Sequence, residues 1–232
     1  REEEVPILTA ELLYVKKTGQ ITTSLGGETV FSLNSKEADR MYEKIVAARA
    51  KNPDHLELVK RKAAALSGYR PPAKDAKVIY RGSYQRDGYT VGMYALQGEG
   101  AYPRPLLLAV PDGDKKYPAV IYIHPKGKEE GITPGGEIER IVKQGYIVAS
   151  PDLSGIGELQ PSVRFDAEAS FSAILIGRSI VGIQAAEIIS VLNFLKGLPN
   201  ISSDDVRAIA FAEECPALLH AAAFEPSLGN VA

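Results

Sequence analysis

The stretch Tyr117–Gly127 (YPAVIYIHPKG) contains the apolar run Val120–Ile123, which indicates the class of the fold. An apolar run of this length, rich in branched and aromatic side chains, is typical of a strand that is buried on both faces. A second apolar strand is expected at Leu106–Val110, before the turn Pro111-Asp112-Gly113-Asp114. Strands of this kind occur in sheets covered by helices, so the two runs favour an α/β protein.

Strand and helix patterns alternate towards the C-terminus. The helix at 181–196 is the clearest, because apolar residues form one face while Gln184, Glu187 and Asn193 lie opposite, on the expected polar face. The other predicted elements are a helix at 137–143 ended by Gly145, strands at 146–150 and 206–211, and a helix opened by Pro216. This alternation predicts a mostly parallel sheet with helices on both faces, a three-layer arrangement.

Towards the N-terminus the pattern changes twice. Alternating residues at 78–84 and 89–94, joined by Arg86-Asp87-Gly88, predict an antiparallel hairpin that opens the sheet. Residues 1–75 are expected to form an extension or inter-domain linker, with short strands at Leu12–Val15 and Glu28–Phe31 and a helix at Lys36–Arg49. The domain prediction is therefore 1–75 and 76–232.

The C-terminus suggests an incomplete domain. Asn230-Val231-Ala232 is typical of the beginning of a further strand. We therefore expect the last strands of the sheet to be missing, and the chain to be a fragment of a longer protein.

Charge and composition restrict the function classes. The formal net charge is −2, which gives no electrostatic reason to expect nucleic acid or an anionic membrane as a partner. One cysteine excludes an internal disulfide, and one cysteine with three scattered histidines provides no zinc-binding spacing. The sequence therefore predicts neither a metal nor a cofactor.

Three stretches, in this order, resemble the acetyl xylan esterase-like branch of the α/β-hydrolases: 117–127, Ser150-Pro151-Asp152-Leu153-Ser154-Gly155-Ile156-Gly157-Glu158, and 176–179 leading into the long helix. The resemblance covers about residues 77–232. It implies a hydrolase fold, ester hydrolysis, an acylated polysaccharide or oligosaccharide as partner, and a secreted or periplasmic location. Residues 18–31 are similar to the segment that joins two domains in tandem esterase-like proteins.

The position of the nucleophile departs from the family pattern. An α/β-hydrolase carries its serine in Gly-x-Ser-x-Gly, on a strained turn between a strand and a helix. Here the matching stretch is Phe211-Ala212-Glu213-Glu214-Cys215-Pro216-Ala217. Counting from the strand places Glu214 at the serine position, whereas counting back from the following helix places Ala212 there. No glycine lies between Gly197 and Gly229, so a tight turn is not expected.

The remaining site candidates are few. Cys215 is the weak catalytic candidate, and its alternative interpretation is a small buried residue at a helix start. His124 and Asp152 follow two strands of the predicted sheet, at the edge where ligands bind in α/β proteins, so both are candidate substrate contacts. His124 could instead hold its loop by hydrogen bonding, and Asp152 could cap a turn. His220 is expected to lie on or in the helix after the turn.

These observations leave three hypotheses. The favoured one is a degenerate esterase-like domain, without serine-hydrolase catalysis, that acts as an accessory or carbohydrate-associated domain. The second is an active carbohydrate or acetyl ester hydrolase completed by residues outside this chain. The third is a structural module whose sheet edge is covered by a tandem hydrolase domain or a second chain.

Overall fold

The computed structural model describes residues 5–74, 76–100, 102–161 and 168–232. The chain divides into two compact units, Arg1–His55 and Leu56–Ala232. Within the described part of the first unit, the structure contains a 3-10 helix at Ala10–Leu13 and two helices, α1 (Ile21–Leu25) and α2 (Val30–Lys51).

The two short strands predicted within residues 1–75, at Leu12–Val15 and Glu28–Phe31, are wrong. At Glu28–Phe31 the chain instead starts α2, because Thr29 forms a capping box with Ser32: the Ser32 N–H donates to Thr29 Oγ1 at 3.1 Å and the Thr29 N–H donates to Ser32 Oγ at 2.9 Å. These two bonds satisfy backbone donors that a helix start leaves free. Leu12–Val15 overlaps the 3-10 helix. The helix predicted at Lys36–Arg49 is confirmed as part of α2.

The second unit begins with a helix and four consecutive strands, and helices and strands are interspersed beyond them. The elements expected from residue 78 onwards are present in the predicted order, whereas the helix at Glu168–Leu175 was not predicted. Its helices are α3 (His55–Ser67, which crosses the boundary), α4 (Glu137–Lys143), α5 (Glu168–Leu175), α6 (Ile180–Lys196) and α7 (Cys215–Phe224). Its strands are β1 (Val78–Arg86), β2 (Tyr89–Gln97), β3 (Pro103–Pro111), β4 (Tyr117–Ile123), β5 (Ile147–Pro151), β6 (Ile201–Ala210) and β7 (Asn230–Val231). Short 3-10 helices occupy Gly157–Leu159 and Ala212–Glu214.

Within the described residues, the strands form one seven-stranded sheet in the order β1-β2-β3-β5-β4-β6-β7. Strands β1 to β3 pair antiparallel, as does β3 with β5, whereas β4, β5, β6 and β7 pair parallel. Five of the seven strands therefore run in one direction, and only β1 and β3 run against it. The predicted α/β class, with a mostly parallel sheet and an N-terminal antiparallel hairpin, is confirmed, as is a strand at Asn230.

Successive side chains of β4 pack alternately into two hydrophobic cores, one on each face of the sheet. This explains why the strand is apolar throughout. Ala119, Ile121 and Ile123 belong to a core with α6 and α7 on one face of the sheet. Val120 and Tyr122 belong to a second core with α4 on the other face. Side chains alternate across a strand, so a strand covered on both faces needs apolar residues throughout.

Helix α3 packs within the second unit. The Ser179 N–H donates to the Ser67 carbonyl at 2.9 Å, and a Cβ added at Gly182 would lie 2.3 Å from that same carbonyl oxygen. Glycine at 182 thus permits this close approach of α3 to α6. The second unit includes residues 56–74, whereas the domain boundary predicted from sequence was drawn after residue 75.

In the part of the chain that the structure describes, no single helix has the length and hydropathy to cross a membrane. Only α5 and α6 taken together satisfy that test, and they meet at a bend of 95°.

Candidate functional site

The ends of β4 and β6 bring His124 beside the turn that follows β6. The Phe211 N–H donates to the Ile123 carbonyl at 3.2 Å, which continues the pairing of the two parallel strands. The ring centroids of His124 and Phe211 are 5.3 Å apart, and Tyr122 packs at 5.3 Å from Phe211. His124 is half-buried, and its Nδ1 accepts the Lys126 N–H at 3.2 Å. His124 therefore holds its own loop and also borders the turn.

Ala212 occupies the strained position of that turn. Its φ is +50°, and it is the only non-glycine residue with positive φ among the residues that the structure describes. The left-handed region costs a residue with a Cβ roughly 1–2 kcal/mol, so this conformation is imposed by the strand and helix on either side. A strained strand-to-helix turn thus forms without glycine, and the expectation that it would not form is wrong. Ala212 is exposed at its tip.

Glycine at position 212 is expected to stabilise the chain by about 1 kcal/mol, because glycine adopts positive φ without a Cβ penalty. The matched control is Ala222→Gly within α7, which should destabilise the chain by about 0.5–1 kcal/mol through the low helix propensity of glycine. Urea denaturation of both variants measures whether their free energies of unfolding change in opposite directions. A destabilising Ala212→Gly would contradict the assignment of strain to this turn.

Glu214 lies buried directly behind the turn. It is 5% exposed, and its Oε2 has no hydrogen-bond partner among the described residues. Burial, followed by the charges of Glu213 and Glu187, raises the pKa of Glu214 to about 7. The carboxyl is therefore a proton-binding group near neutral pH, although it points into the protein and not out of the turn.

Cys215, the catalytic candidate, is the first residue of α7 and is half-buried. Its Sγ lies 3.4 Å from the Ala210 carbonyl, to which the thiol donates. His220 is tied to its own helix, with Nδ1 2.7 Å from the Pro216 carbonyl and its ring packed edge-on against Phe224 at 5.7 Å. The described contacts therefore join neither His220 nor His124 to Cys215 as a base.

Asp152, the second candidate substrate contact, is completely buried and joins two loops. Its carboxylate accepts the Lys128 N–H at 2.7 Å, the Lys128 ammonium at 2.9 Å and the Glu158 N–H at 3.1 Å. Burial opposes the charge of Lys128, but its hydrogen bonds with Asp152 and Glu158 are strong enough to raise the pKa of Lys128. A Cβ at Gly127 or Gly157 would lie 2.7 or 2.2 Å from Asp152 Oδ1. The Asp152 carboxylate thus accepts three hydrogen bonds within the protein. Its role as a substrate contact stays a prediction.

Glu187, on α6, is a second buried polar residue with several partners, and its burial was not predicted from the sequence. Glu187 accepts the Ser154 N–H at 2.8 Å, the Ser154 hydroxyl at 2.6 Å and the Tyr102 hydroxyl at 3.2 Å. The polar face expected for this helix is wrong for Gln184 and Glu187, which are both buried. Their presence within an otherwise apolar segment was the available signal, since buried polar residues must find partners.

No family model and no curated protein matches the sequence. Solved structures do match. A protein of Bacteroides fragilis NCTC 9343 assigned as an acetyl xylan esterase shares 19% identity at a TM-score of 0.64, over 76% of this chain and 51% of that one. The acetyl xylan esterase of Paenibacillus sp. R4 shares 15% identity at 0.54, over 78% and 58%.

A third match is the glucuronoyl esterase of Solibacter usitatus, with 14% identity and a TM-score of 0.53 over 74% of this chain and 56% of that one. The chain therefore spans little more than half the length of these three esterases. At sequence identities of 14–19%, these matches establish a shared fold and not a shared activity. The chain has the α/β-hydrolase fold of the acetyl xylan esterases.

Proposed function

We propose that this chain is an esterase-like α/β-hydrolase domain whose own site is degenerate, and that it acts as an accessory domain associated with acylated polysaccharide. The observation that carries the proposal is Ala212. It occupies the strained turn between β6 and α7, the place at which an α/β-hydrolase exposes its nucleophile, and it presents a methyl group there.

The neighbours of Ala212 support the same conclusion. A nucleophile needs an oxygen or sulfur atom at the turn and a base within hydrogen-bond reach. Cys215 lies three residues further on, inside the first turn of α7, where its thiol is engaged by the Ala210 carbonyl. Glu214 points into the core. What remains exposed at the turn is Ala212 and the carboxylate of Glu213, beside the half-buried rings of Phe211 and His124, and residues 211–214 carry no hydroxyl or thiol group.

The alternative is an active carbohydrate or acetyl ester hydrolase completed by residues outside this chain, from a tandem domain or a second chain. One observation favours it: the strained backbone at Ala212 is retained, and strain of this kind often accompanies function. Either function would place the protein with extracellular or periplasmic polysaccharide, the location proposed here.

The test is hydrolysis of 4-nitrophenyl acetate and of acetylated xylan by the purified chain and by Cys215→Ala. We expect both proteins to leave the spontaneous rate unchanged, because an esterase with a nucleophile would exceed that rate by at least about 10⁶-fold. Turnover by the chain that Cys215→Ala abolishes would contradict the proposal and establish Cys215 as the nucleophile.

Retention of the chain on insoluble acetylated xylan, compared with deacetylated xylan and cellulose, tests the accessory role. We expect preferential retention on the acetylated polymer. Equal passage through all three polymers would remove the carbohydrate part of the proposal and leave only the degenerate site.

A further inference from the structure

A cavity of about 290 Å³ lies in the second unit, between the beginning of β3, the end of β2 and the middle of α6. We propose that it binds a small organic carboxylate that also carries hydroxyl groups, such as a sugar acid. We name it the Arg104 cavity, and the lining residues that matter here are Arg104, Glu187, Tyr102, Gln97, Pro71 and Ile183. It does not include the turn at Ala212, so the proposal is independent of the proposed function.

The guanidinium of Arg104 is the group that would bind the carboxylate of the ligand. Arg104 is 3% exposed, and its Nη2 donates to Ser190 Oγ at 2.7 Å. Its Nε is buried and has no hydrogen-bond partner among the described residues. A buried N–H without a partner costs free energy, which a ligand oxygen that accepts its hydrogen bond would recover.

Arg104 lines the cavity, and the space beside its Nε is bordered by a glycine. A Cβ added at Gly98, which also lines the cavity, would lie 3.6 Å from Arg104 Nε. Glycine at this position leaves the space beside the buried Arg104 Nε unfilled by a side chain. A guanidinium edge with free N–H groups matches a carboxylate, whose two oxygens accept parallel hydrogen bonds.

Glu187 limits the charge of the ligand. Its carboxylate lines the same cavity, and its described hydrogen bonds are with Ser154 and Tyr102. Burial lowers the pKa of Arg104, while the nearby charge of Glu187 acts in the opposite direction. Because Glu187 already balances part of the charge of Arg104, a dianion such as phosphate would meet stronger repulsion than a monoanion.

The rest of the wall suits a hydroxylated ring. Gln97 and the Tyr102 hydroxyl offer hydrogen-bonding groups, while Pro71 and Ile183 offer apolar surface for C–H groups. Arg70 also lines the cavity, and its exposed side chain pairs with Glu99 at 3.0 Å. The volume is at the lower end of ligand pockets, about 300–1,000 Å³, and so favours a single sugar-sized molecule.

The test is calorimetric titration of the whole chain with D-glucuronate, with D-glucose as the ligand lacking the carboxylate and inorganic phosphate as the dianion. We expect saturable binding of D-glucuronate only. Arg104→Gln should weaken that binding roughly tenfold to hundredfold, since a charged hydrogen-bond partner is lost. Arg81→Gln, on the exposed surface of β1, is the matched control and should bind as the original chain does.

A second measurement needs no variant. In the ¹⁵N NMR spectrum of the original chain, D-glucuronate should shift an arginine Nε–H resonance and D-glucose should not. Two results would overturn the proposal: no binding of D-glucuronate by the original chain, or unchanged binding by a folded Arg104→Gln variant.

Discussion

Asp152→Ala is expected to destabilise the chain by about 3–5 kcal/mol, the largest effect of any single substitution proposed for it. The change removes a fully buried carboxylate and leaves the Lys128 ammonium, whose side chain is 9% exposed, without its buried partner. It also frees the N–H groups of Lys128 and Glu158. Chemical denaturation monitored by circular dichroism measures the loss.

Glu158→Gln is the control for that prediction. Glu158 contacts the same Lys128 ammonium, but its side chain is 65% exposed, so solvent screens the interaction. We expect a loss below about 1 kcal/mol. A loss for Asp152→Ala no larger than that of Glu158→Gln would show that the two loops do not depend on the buried ion pair.

The stability of the chain should depend on pH through Glu214, and Glu214→Gln should remove this dependence. The folded-state pKa is about 7, above the ordinary value of 4.5, because burial disfavours the charged form. The contribution of Glu214 to the free energy of unfolding is therefore complete below about pH 4.5 and is lost as the pH rises through 7. Above pH 7 the ionised carboxyl costs up to about 3 kcal/mol.

We therefore expect Glu214→Gln to match the original chain near pH 4.5 and to exceed its stability by up to about 3 kcal/mol near pH 8. Denaturation curves across this range make the comparison. Glu213→Gln, which changes the exposed neighbour, should have a much smaller effect. If Glu214→Gln proved equally stabilising or equally neutral at both pH values, ionisation of Glu214 would not be the cause.

Local patterns were sufficient for most of the second unit. The hairpin β1-β2, the apolar strand β4, the helix α6 and the helix opened by Pro216 were all predicted and are all present. Each rests on an alternation, a period or a turn residue that acts over a few neighbouring positions. The N-terminal strands failed where the capping box at Thr29 starts a helix, although that signal is also local.

The candidate site depends on contacts that no local pattern contains. The sequence offered two positions for the turn, Glu214 and Ala212, and the positive φ at Ala212 selects the second. An alanine adopts that conformation only because β6 on one side and α7 on the other are held by their cores. In the same way, Asp152 was visible as a strand-end residue, but its partner Lys128 is 24 positions away.

By itself, the sequence determined the α/β class, the mostly parallel sheet and the absence of a serine at the turn, because these follow from periodicity and residue identity. Only the tertiary structure decided which residue occupies the strained position and that Glu187 and Gln184 are buried. It also decided that Arg104 is buried and lines a cavity. The reason is physical: burial and backbone strain are set by what packs against a residue, and those neighbours come from distant parts of the chain.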